Sequence, residues 1–134
     1  MESISRPRLL VVDDEPLLRK IIVLEFERRG WDIQQASGAF EAHALMVKNS
    51  YDLIISDVRM PEGNGVNLLE AVRMIAGLKP VVILMSGFSE VIEYQAFRLG
   101  AAALYTKPFE IRNFADQVEE CFQDEITLRT QSAG

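Results

Sequence analysis

The sequence is poor in the residues that build disulfides, zinc sites and membrane segments. It has one cysteine and one histidine. Cys121 alone cannot form an internal disulfide, which fits a reducing compartment, so a cytoplasmic location is expected. His43 has no second histidine with which to share a metal and is interpreted as a surface or boundary residue of a helix. No apolar run approaches the roughly 18 residues that span a bilayer, and no membrane association is expected.

The sequence is also poor in positively charged residues relative to negatively charged ones. The chain has 14 Lys and Arg against 20 Asp and Glu, a net charge of −6. Because nucleic-acid backbones are bound by an excess of Lys and Arg, direct nucleic-acid binding by this chain is not expected. A length of 134 residues suits one domain with its own core. We predict an N-terminal extension over residues 1–7, one domain over 8–123 and a flexible, polar tail over 124–134.

Apolar runs typical of strands alternate along the chain with longer segments of helical spacing. The expected strands are Leu9–Val12, Trp31–Gln35, Leu53–Ser56, Val81–Met85 and Ala103–Thr106. The expected helices are Pro16–Arg29, Ala39–Lys48, Val66–Ala76, Glu90–Leu99 and Ile111–Phe122. This alternation predicts an α/β fold, with a five-stranded parallel sheet that carries helices on both faces.

Polar side chains follow four of the predicted strands. In chain order they are Asp13, Asp14 and Glu15 after the first strand, Asp57 after the third, Ser86 after the fourth and Lys107 after the fifth. The carboxyl ends of parallel strands meet at one edge of a sheet, where ligands bind. Carboxylates gathered there repel one another and favour a hard divalent cation such as Mg²⁺. A lysine and a hydroxyl beside that ion would hold a phosphoryl group.

Each of these positions also has an ordinary structural interpretation. Acidic residues are common in turns, and Asp14 or Glu15 would favour the N-terminus of the following helix whatever else it does. What indicates a site is the combination of acids after the first and third strands, a hydroxyl after the fourth and a lysine after the fifth.

Four motifs give the chain a specific resemblance. They are LLVVDDE at residues 9–15, IISDVRMPEGNG at 54–65, LMSG at 84–87 and YTKPF at 105–109. In their order and separations they resemble the receiver domains of two-component response regulators, the CheY-like superfamily, over about Arg8 to Phe122. The resemblance implies a doubly wound (βα)5, flavodoxin-like receiver fold. It also implies a phosphoprotein of a phosphorelay, which takes its phosphoryl group from a histidine kinase or a phosphotransfer protein.

The resemblance implies roles for individual residues. Asp57 corresponds to the phosphoacceptor. Asp13 and Asp14 correspond to the acidic pair that holds Mg²⁺, together with Asp57 and the backbone carbonyl of Arg59. Lys107 corresponds to the lysine that pairs with the phosphoryl oxygens.

Further roles follow from the same resemblance. Ser86 corresponds to the hydroxyl that moves toward the phosphoryl group, and Pro61 and Gly65 match the turn after the third strand. The Lys107–Pro108 peptide is cis in relatives. The domain would be a signalling switch, not a metabolic enzyme. It would catalyse its own phosphorylation and dephosphorylation and change a protein-interaction surface around the fourth helix, the fifth strand and the fifth helix. Association of two copies of this chain into a homodimer is also among the predicted interactions.

Two features depart from the family pattern. Many receivers carry Tyr or Phe three residues before the lysine, as an aromatic that rotates with the hydroxyl. This chain has Leu104 there and Tyr105 one place later. One step along a strand reverses the direction of a side chain, so Tyr105 is expected to pack in the core. The predicted fourth helix has no single apolar stripe, and Phe97 is expected to face outward, either in a partner surface or against a neighbouring helix end.

Three other functions remain open. A degenerate receiver would bind partners without carrying phosphate, although all five site residues are present. A flavodoxin-like cofactor binder would need a glycine- and hydroxyl-rich loop after the first strand, where this chain has three acidic residues. A phosphatase-type hydrolase with an aspartyl nucleophile would need cap elements, for which 134 residues leave no spare length.

We predict slow autodephosphorylation. Two positions tune the phosphoryl lifetime in relatives, two residues beyond the acceptor and two beyond the hydroxyl. They are Arg59 and Phe88 here. Neither side chain orients an attacking water as a small polar group does. The acyl phosphate, followed by intact mass spectrometry of the phosphorylated protein, is expected to last for minutes or longer. A half-life of only seconds would contradict this prediction.

Overall fold

The computed structural model describes residues 6–60, 63–75, 77–87 and 100–133. The strands are β1 (Arg8–Val12), β2 (Asp32–Ala36), β3 (Leu53–Asp57), β4 (Arg59–Met60), β5 (Gly63–Asn64), β6 (Val81–Ser86) and β7 (Ala103–Thr106). The helices are α1 (Pro16–Arg28), α2 (Ala39–Lys48), α3 (Gly65–Arg73) and the last helix (Ile111–Ala133). The predicted helix Glu90–Leu99, with Phe88 and Phe97, lies outside the described residues.

Five of these strands form one parallel sheet in the order β2-β1-β3-β6-β7. Every residue of β3 and β6 is buried. Strands covered on both faces need apolar side chains in both directions, which explains their near-continuous runs of Leu, Ile and Val. The predicted α/β fold with a five-stranded parallel sheet is confirmed. The two-residue strands β4 and β5 pair antiparallel beyond the end of β3, and the sequence pattern does not predict them.

The two faces of the sheet carry separate cores, because successive side chains of a strand point to opposite sides. On one face, Leu10 and Ile54 pack against α2 and α3. On the other face, Leu9 and Ile55 pack with Phe26 of α1 and with the last helix. The helices therefore cover both faces, which leaves the carboxyl ends of the strands as the place for a ligand.

An ion-pair network joins the end of α1 to the last helix. Glu25, on α1, accepts hydrogen bonds of 2.9 Å from Arg28 and from Arg29, and these bonds lower the pKa of its carboxyl group. Arg29 also donates to Glu119 Oε1 at 2.9 Å. Trp31 Nε1 donates to the other carboxylate oxygen of Glu119, again at 2.9 Å. These bonds fix the last helix beside α1 in addition to their shared apolar core.

Several element ends differ from the predicted ones by a few residues. β3 includes Asp57 and β6 includes Ser86, so both site residues are the last residues of their strands. α3 begins at Gly65, which places that glycine in the helix and not in the preceding turn. α1 ends at Arg28, and Gly30 shortly after it has φ +95°, a conformation that glycine adopts without strain.

The last helix continues to Ala133, so most of the segment 124–134, for which a flexible tail is predicted, is helical. Ile126 packs against the core that the sheet forms with α1. Arg129 Nη1 donates to the backbone carbonyl of Lys79 at 2.6 Å, which ties the extension to the loop before β6. Prolonging a helix that already has a nucleus costs less free energy than starting one, and these two contacts favour the prolonged helix. None of the helices in the described ranges combines the length and apolarity needed to cross a membrane.

Replacing Ile126 with Ala is expected to lower the free energy of unfolding by about 1–2 kcal/mol, less than for a fully buried isoleucine. The matched control is Leu128→Ala, which shortens a side chain that is 56% exposed. That control is expected to change the free energy by less than ~0.5 kcal/mol. Urea unfolding followed by Trp31 fluorescence measures both variants. Equal losses would show that the extension does not pack on the domain.

Candidate functional site

The turn between β1 and α1 places three acidic residues at the carboxyl edge of the sheet. Asp13 is fully buried, and its Oδ1 accepts the backbone N–H of Glu15 at 2.8 Å, the local bond that favours aspartate in turns. The backbone of Asp13 is held on two sides. Its N–H donates to the carbonyl of Ala36 at 3.1 Å, and its carbonyl accepts Arg19 Nη1 at 2.6 Å. Asp14, next in the turn, is exposed.

Asp57 ends β3 beside this turn and is buried. Each of its carboxylate oxygens has a donor, with the backbone N–H of Arg59 3.1 Å from Oδ1 and Lys107 Nζ 2.8 Å from Oδ2. Asp57 is paired with Met85 of the neighbouring strand β6, so the buried Ser86 is the next residue of β6 toward the same edge. The parallel register therefore brings the acid and the hydroxyl to adjacent strand ends.

Lys107 follows β7 and makes contact with three carboxylates. Its Nζ lies 2.8 Å from Asp57 Oδ2, 2.9 Å from Glu15 Oε1 and 3.3 Å from Asp13 Oδ2. Its backbone N–H donates to the carbonyl of Ser86 at 2.8 Å, which fixes where the side chain starts. Burial by itself would lower the pKa of Lys107, but the hydrogen bonds to Asp57 and Glu15 outweigh that effect and raise it. The side chain is therefore an ammonium ion at neutral pH.

Three carboxylates form a cluster suited to a metal ion. Asp13, Asp14 and Asp57 each offer one oxygen, and these oxygens lie within 4.8 Å of one another. Burial raises the pKa of Asp13 more than the hydrogen bond from Glu15 and the charge of Lys107 lower it. Three carboxylate oxygens gathered in this way, one of them from a fully buried residue, fit a hard divalent cation such as Mg²⁺.

A family model described as the response regulator receiver domain matches residues 9–119. The chain is a receiver domain of the response regulator family. It is 30% identical over 114 residues to the response regulator protein PilR of Pseudomonas aeruginosa, and the match covers 85% of this chain and 26% of PilR. It is 30% identical over 124 residues to the transcriptional regulatory protein SrrA of Staphylococcus aureus, covering 92% and 49%. The chain thus spans less than half the length of either relative.

The receiver domain also shares its fold with solved structures. The chemotaxis response regulator CheY4 of Vibrio cholerae matches with a TM-score of 0.80 at 25% sequence identity, covering 87% of this chain and 99% of that one. The predicted receiver fold and the place of the chain in two-component signalling are confirmed. The predicted cis peptide between Lys107 and Pro108 is present as well.

The receiver domain brings the five predicted core residues to one edge of the sheet. Oxygens of Asp13, Asp14 and Asp57 lie within 4.8 Å of one another, Lys107 contacts Asp13 and Asp57, and Ser86 ends the strand beside them. Arg59 contributes its backbone N–H to Asp57, while a role for its carbonyl as a metal ligand stays a prediction. Phe88 and Pro61 lie outside the described residues.

Leu104 and Tyr105 lie on opposite faces of β7, as strand geometry predicts. Leu104 packs on the face covered by α2 and α3. Tyr105 packs on the other face, with its ring centroid 5.5 Å from that of Phe114 in an edge-to-face contact. Burial raises the pKa of the Tyr105 phenol. The prediction that Tyr105 is a packed residue is confirmed, so an aliphatic side chain stands where many receivers have the rotating aromatic.

Two residues of the site are missed by sequence reasoning. The pattern predicts Glu15 only as an acid of the turn, and its ion pair with Lys107 is not foreseen. Arg19 braces the turn by donating to the carbonyl of Asp13 and, from Nε, to Gln35 Oε1 at 2.9 Å. The spacing of Glu15 and Arg19, four residues apart, is a weak signal that they share a helix face. No such spacing links Glu15 with Lys107.

Replacing Lys107 with Met is expected to lower the free energy of unfolding of the metal-free domain by about 2 kcal/mol, because Asp13 and Asp57 lose their shared cation. The matched control is Lys20→Met at an exposed position of α1, with an expected change below ~0.5 kcal/mol. Both are measured by urea unfolding in the presence of EDTA. A loss no larger than that of the control would show that Lys107 does not stabilise the acidic cluster.

Proposed function

We propose that this receiver domain accepts a phosphoryl group on the carboxylate of Asp57 within a two-component phosphorelay. The observation that carries the proposal is the position of Asp57, 2.8 Å from Lys107 Nζ and in one cluster with oxygens of Asp13 and Asp14. Phosphoryl transfer needs a positioned nucleophile and charge neutralisation more than it needs covalent help from the protein. This edge of the sheet offers both.

In the proposed reaction a carboxylate oxygen of Asp57 attacks the phosphorus of a phosphohistidine. The bond from phosphorus to nitrogen breaks, and the imidazole nitrogen keeps the electron pair. Lys107, already bonded to Asp57, would pair with the phosphoryl oxygens as they arrive. The N–H of Arg59 holds Oδ1 and keeps the carboxylate oriented. The domain would thus catalyse its own phosphorylation, and hydrolysis of the acyl phosphate would reset it.

We propose that Asp13, Asp14 and Asp57 hold Mg²⁺, with the backbone carbonyl of Arg59 as a further ligand. The bound ion would neutralise charge on the phosphoryl oxygens. Support comes from the donor set, which consists of carboxylate oxygens, and from Asp13, whose pKa is raised by burial.

Phosphorylation would act on the domain through charge. It adds about −1.5 to −2 by analogy with phosphorylated hydroxyls, next to the buried Ser86. We propose that the Ser86 hydroxyl responds and that the change reaches a protein-interaction surface around the predicted fourth helix, β7 and the last helix. With Leu104 in the position of the usual aromatic, this relay would run through aliphatic packing. Phe97 stays a predicted residue of that surface.

Receiver domains of response regulators interact with histidine kinases or phosphotransfer proteins, and we propose a protein donor of this kind here. Support comes from an exposed apolar face on α1, where Leu17, Ile21 and Leu24 are 72%, 40% and 53% exposed. α1 begins at the site, so a partner on this face would be close to Asp57. We also propose a homodimer as a second partner state. A cytoplasmic location is supported by Cys121, the single cysteine of the sequence, which is a free thiol.

The test is phosphorylation in the presence of Mg²⁺, read as added mass, with phosphoramidate and separately with an autophosphorylated histidine kinase. One hydroxylamine-sensitive phosphoryl group is expected, and it should be absent in EDTA and in Asp57→Asn. The matched control is Asp124→Asn, an exposed aspartate of the last helix, which should be phosphorylated like the unsubstituted protein. Phosphorylation that survives Asp57→Asn would contradict the assignment.

The same assay separates the competing functions. A folded protein that gains no mass with either donor would be a degenerate receiver. Continuous release of inorganic phosphate without a stable acyl phosphate would indicate a hydrolase. Flavin absorbance in the purified protein would indicate a cofactor binder.

A further inference from the structure

Glu15 lies on the solvent side of Lys107. The three carboxylates around the ammonium differ sharply in exposure, since the side chain of Glu15 is 61% exposed while those of Asp57 and Asp13 are 10% and 0% exposed. A surface depression lined by Glu15, Lys107 and Pro108 opens at this point. Glu15 therefore lies at the exposed rim of the group of carboxylates that contact Lys107.

Glu15 and the phosphoacceptor share one cation. Glu15 Oε1 and Asp57 Oδ2 lie 2.9 Å and 2.8 Å from the same Lys107 nitrogen. An incoming phosphoryl group must use that nitrogen, so it would arrive close to the Glu15 carboxylate and be repelled by it. The repulsion grows with the charge of the donor, and a cation that is already paired on its outer side compensates less of it.

We infer that Glu15 is a specificity-determining residue that disfavours dianionic small phosphodonors, such as acyl phosphates, relative to monoanionic donors with a phosphorus–nitrogen bond. The inference rests on the proposed phosphorylation of Asp57. With acetyl phosphate, an oxygen of Asp57 bonds to phosphorus and acetate leaves with the electron pair of the broken bond. With phosphoramidate, ammonia leaves in the same way. Both reactions use Asp57 and Lys107, so the two donors differ at this site mainly in charge.

The expected size of the effect follows from Coulomb's law. One extra negative charge at ~6 Å from the Glu15 carboxylate slows the reaction about threefold in water, and more where the effective dielectric constant is lower. The test compares rates of acyl-phosphate formation with acetyl phosphate and with phosphoramidate at neutral pH, low ionic strength and saturating Mg²⁺. In Glu15→Gln the ratio of the acetyl phosphate rate to the phosphoramidate rate should rise about threefold. At about 0.5 M KCl the difference from the unsubstituted protein should shrink, because salt screens exposed charges.

Two control variants separate local charge from other effects. Glu15→Asp keeps the charge and should keep the ratio of the unsubstituted protein. Glu27→Gln removes an equal charge from an exposed position near the far end of α1 and should leave the ratio unchanged. The inference is overturned if Glu15→Gln leaves the ratio unchanged, or if either control raises it as much. The inference is also overturned if Glu15→Gln changes the acetyl phosphate rate and the phosphoramidate rate by the same factor, as a loss of Lys107 positioning would.

Failure of the proposed function has a different signature. If the unsubstituted protein reacts with neither donor, or if the label does not depend on Asp57, the phosphoacceptor assignment and the inference fall together. If both donors label Asp57 and the ratio is insensitive to Glu15→Gln, the inference alone is overturned. The Mg²⁺ affinity of each variant is measured by titration calorimetry, so that the rates are compared at equal Mg²⁺ occupancy.

Discussion

The ammonium of Lys107 touches carboxylates from three residues, Asp13, Glu15 and Asp57, and the arrangement of the whole sheet edge depends on this contact. Burial raises the pKa of Asp13, and the nearby charge of Asp57 at the end of β3 adds to that rise. The fold compensates by placing Lys107 after β7, anchored to the carbonyl of Ser86. One lysine leaves negative charge in excess at this edge, which fits the proposed binding of a divalent cation there.

α1 connects this site with the far end of the domain. Its first turn follows Glu15, which contacts Lys107, and its end is followed by Arg29, which is bonded to Glu119 of the last helix. Between these points Ile22 and Phe26 pack on the sheet. A helix that is held at both ends and along its buried face resists local deformation, because the core is close-packed. α1 therefore joins the site and the last helix through direct contacts at each of its ends.

Much of the fold is predictable from local pattern. The buried strands β3 and β6 are recognisable from their unbroken apolar runs. Because side chains alternate between the two faces along a strand, Leu104 and Tyr105 are expected on opposite faces, where the structure has them. The extension of the last helix beyond Asp124 is not predictable in this way. Its polar composition suggests a tail, whereas Ile126 and Arg129 find partners on the core and on Lys79 that are distant in the chain. Local composition fails where distant contacts decide whether a segment is ordered.

The site likewise has a part that the sequence predicts and a part that only the structure shows. The sequence by itself determined which polar residues lie at or just beyond the strand ends and that their chemistry suits a phosphoryl group, because parallel topology sends all carboxyl ends to one edge. Only the tertiary structure decided the pairing within that edge. Glu15 and Lys107 are 92 residues apart and meet across the β1–α1 turn, and Arg59 reaches Asp57 through its backbone N–H. Such contacts depend on side-chain reach and strand register, which only the assembled sheet defines.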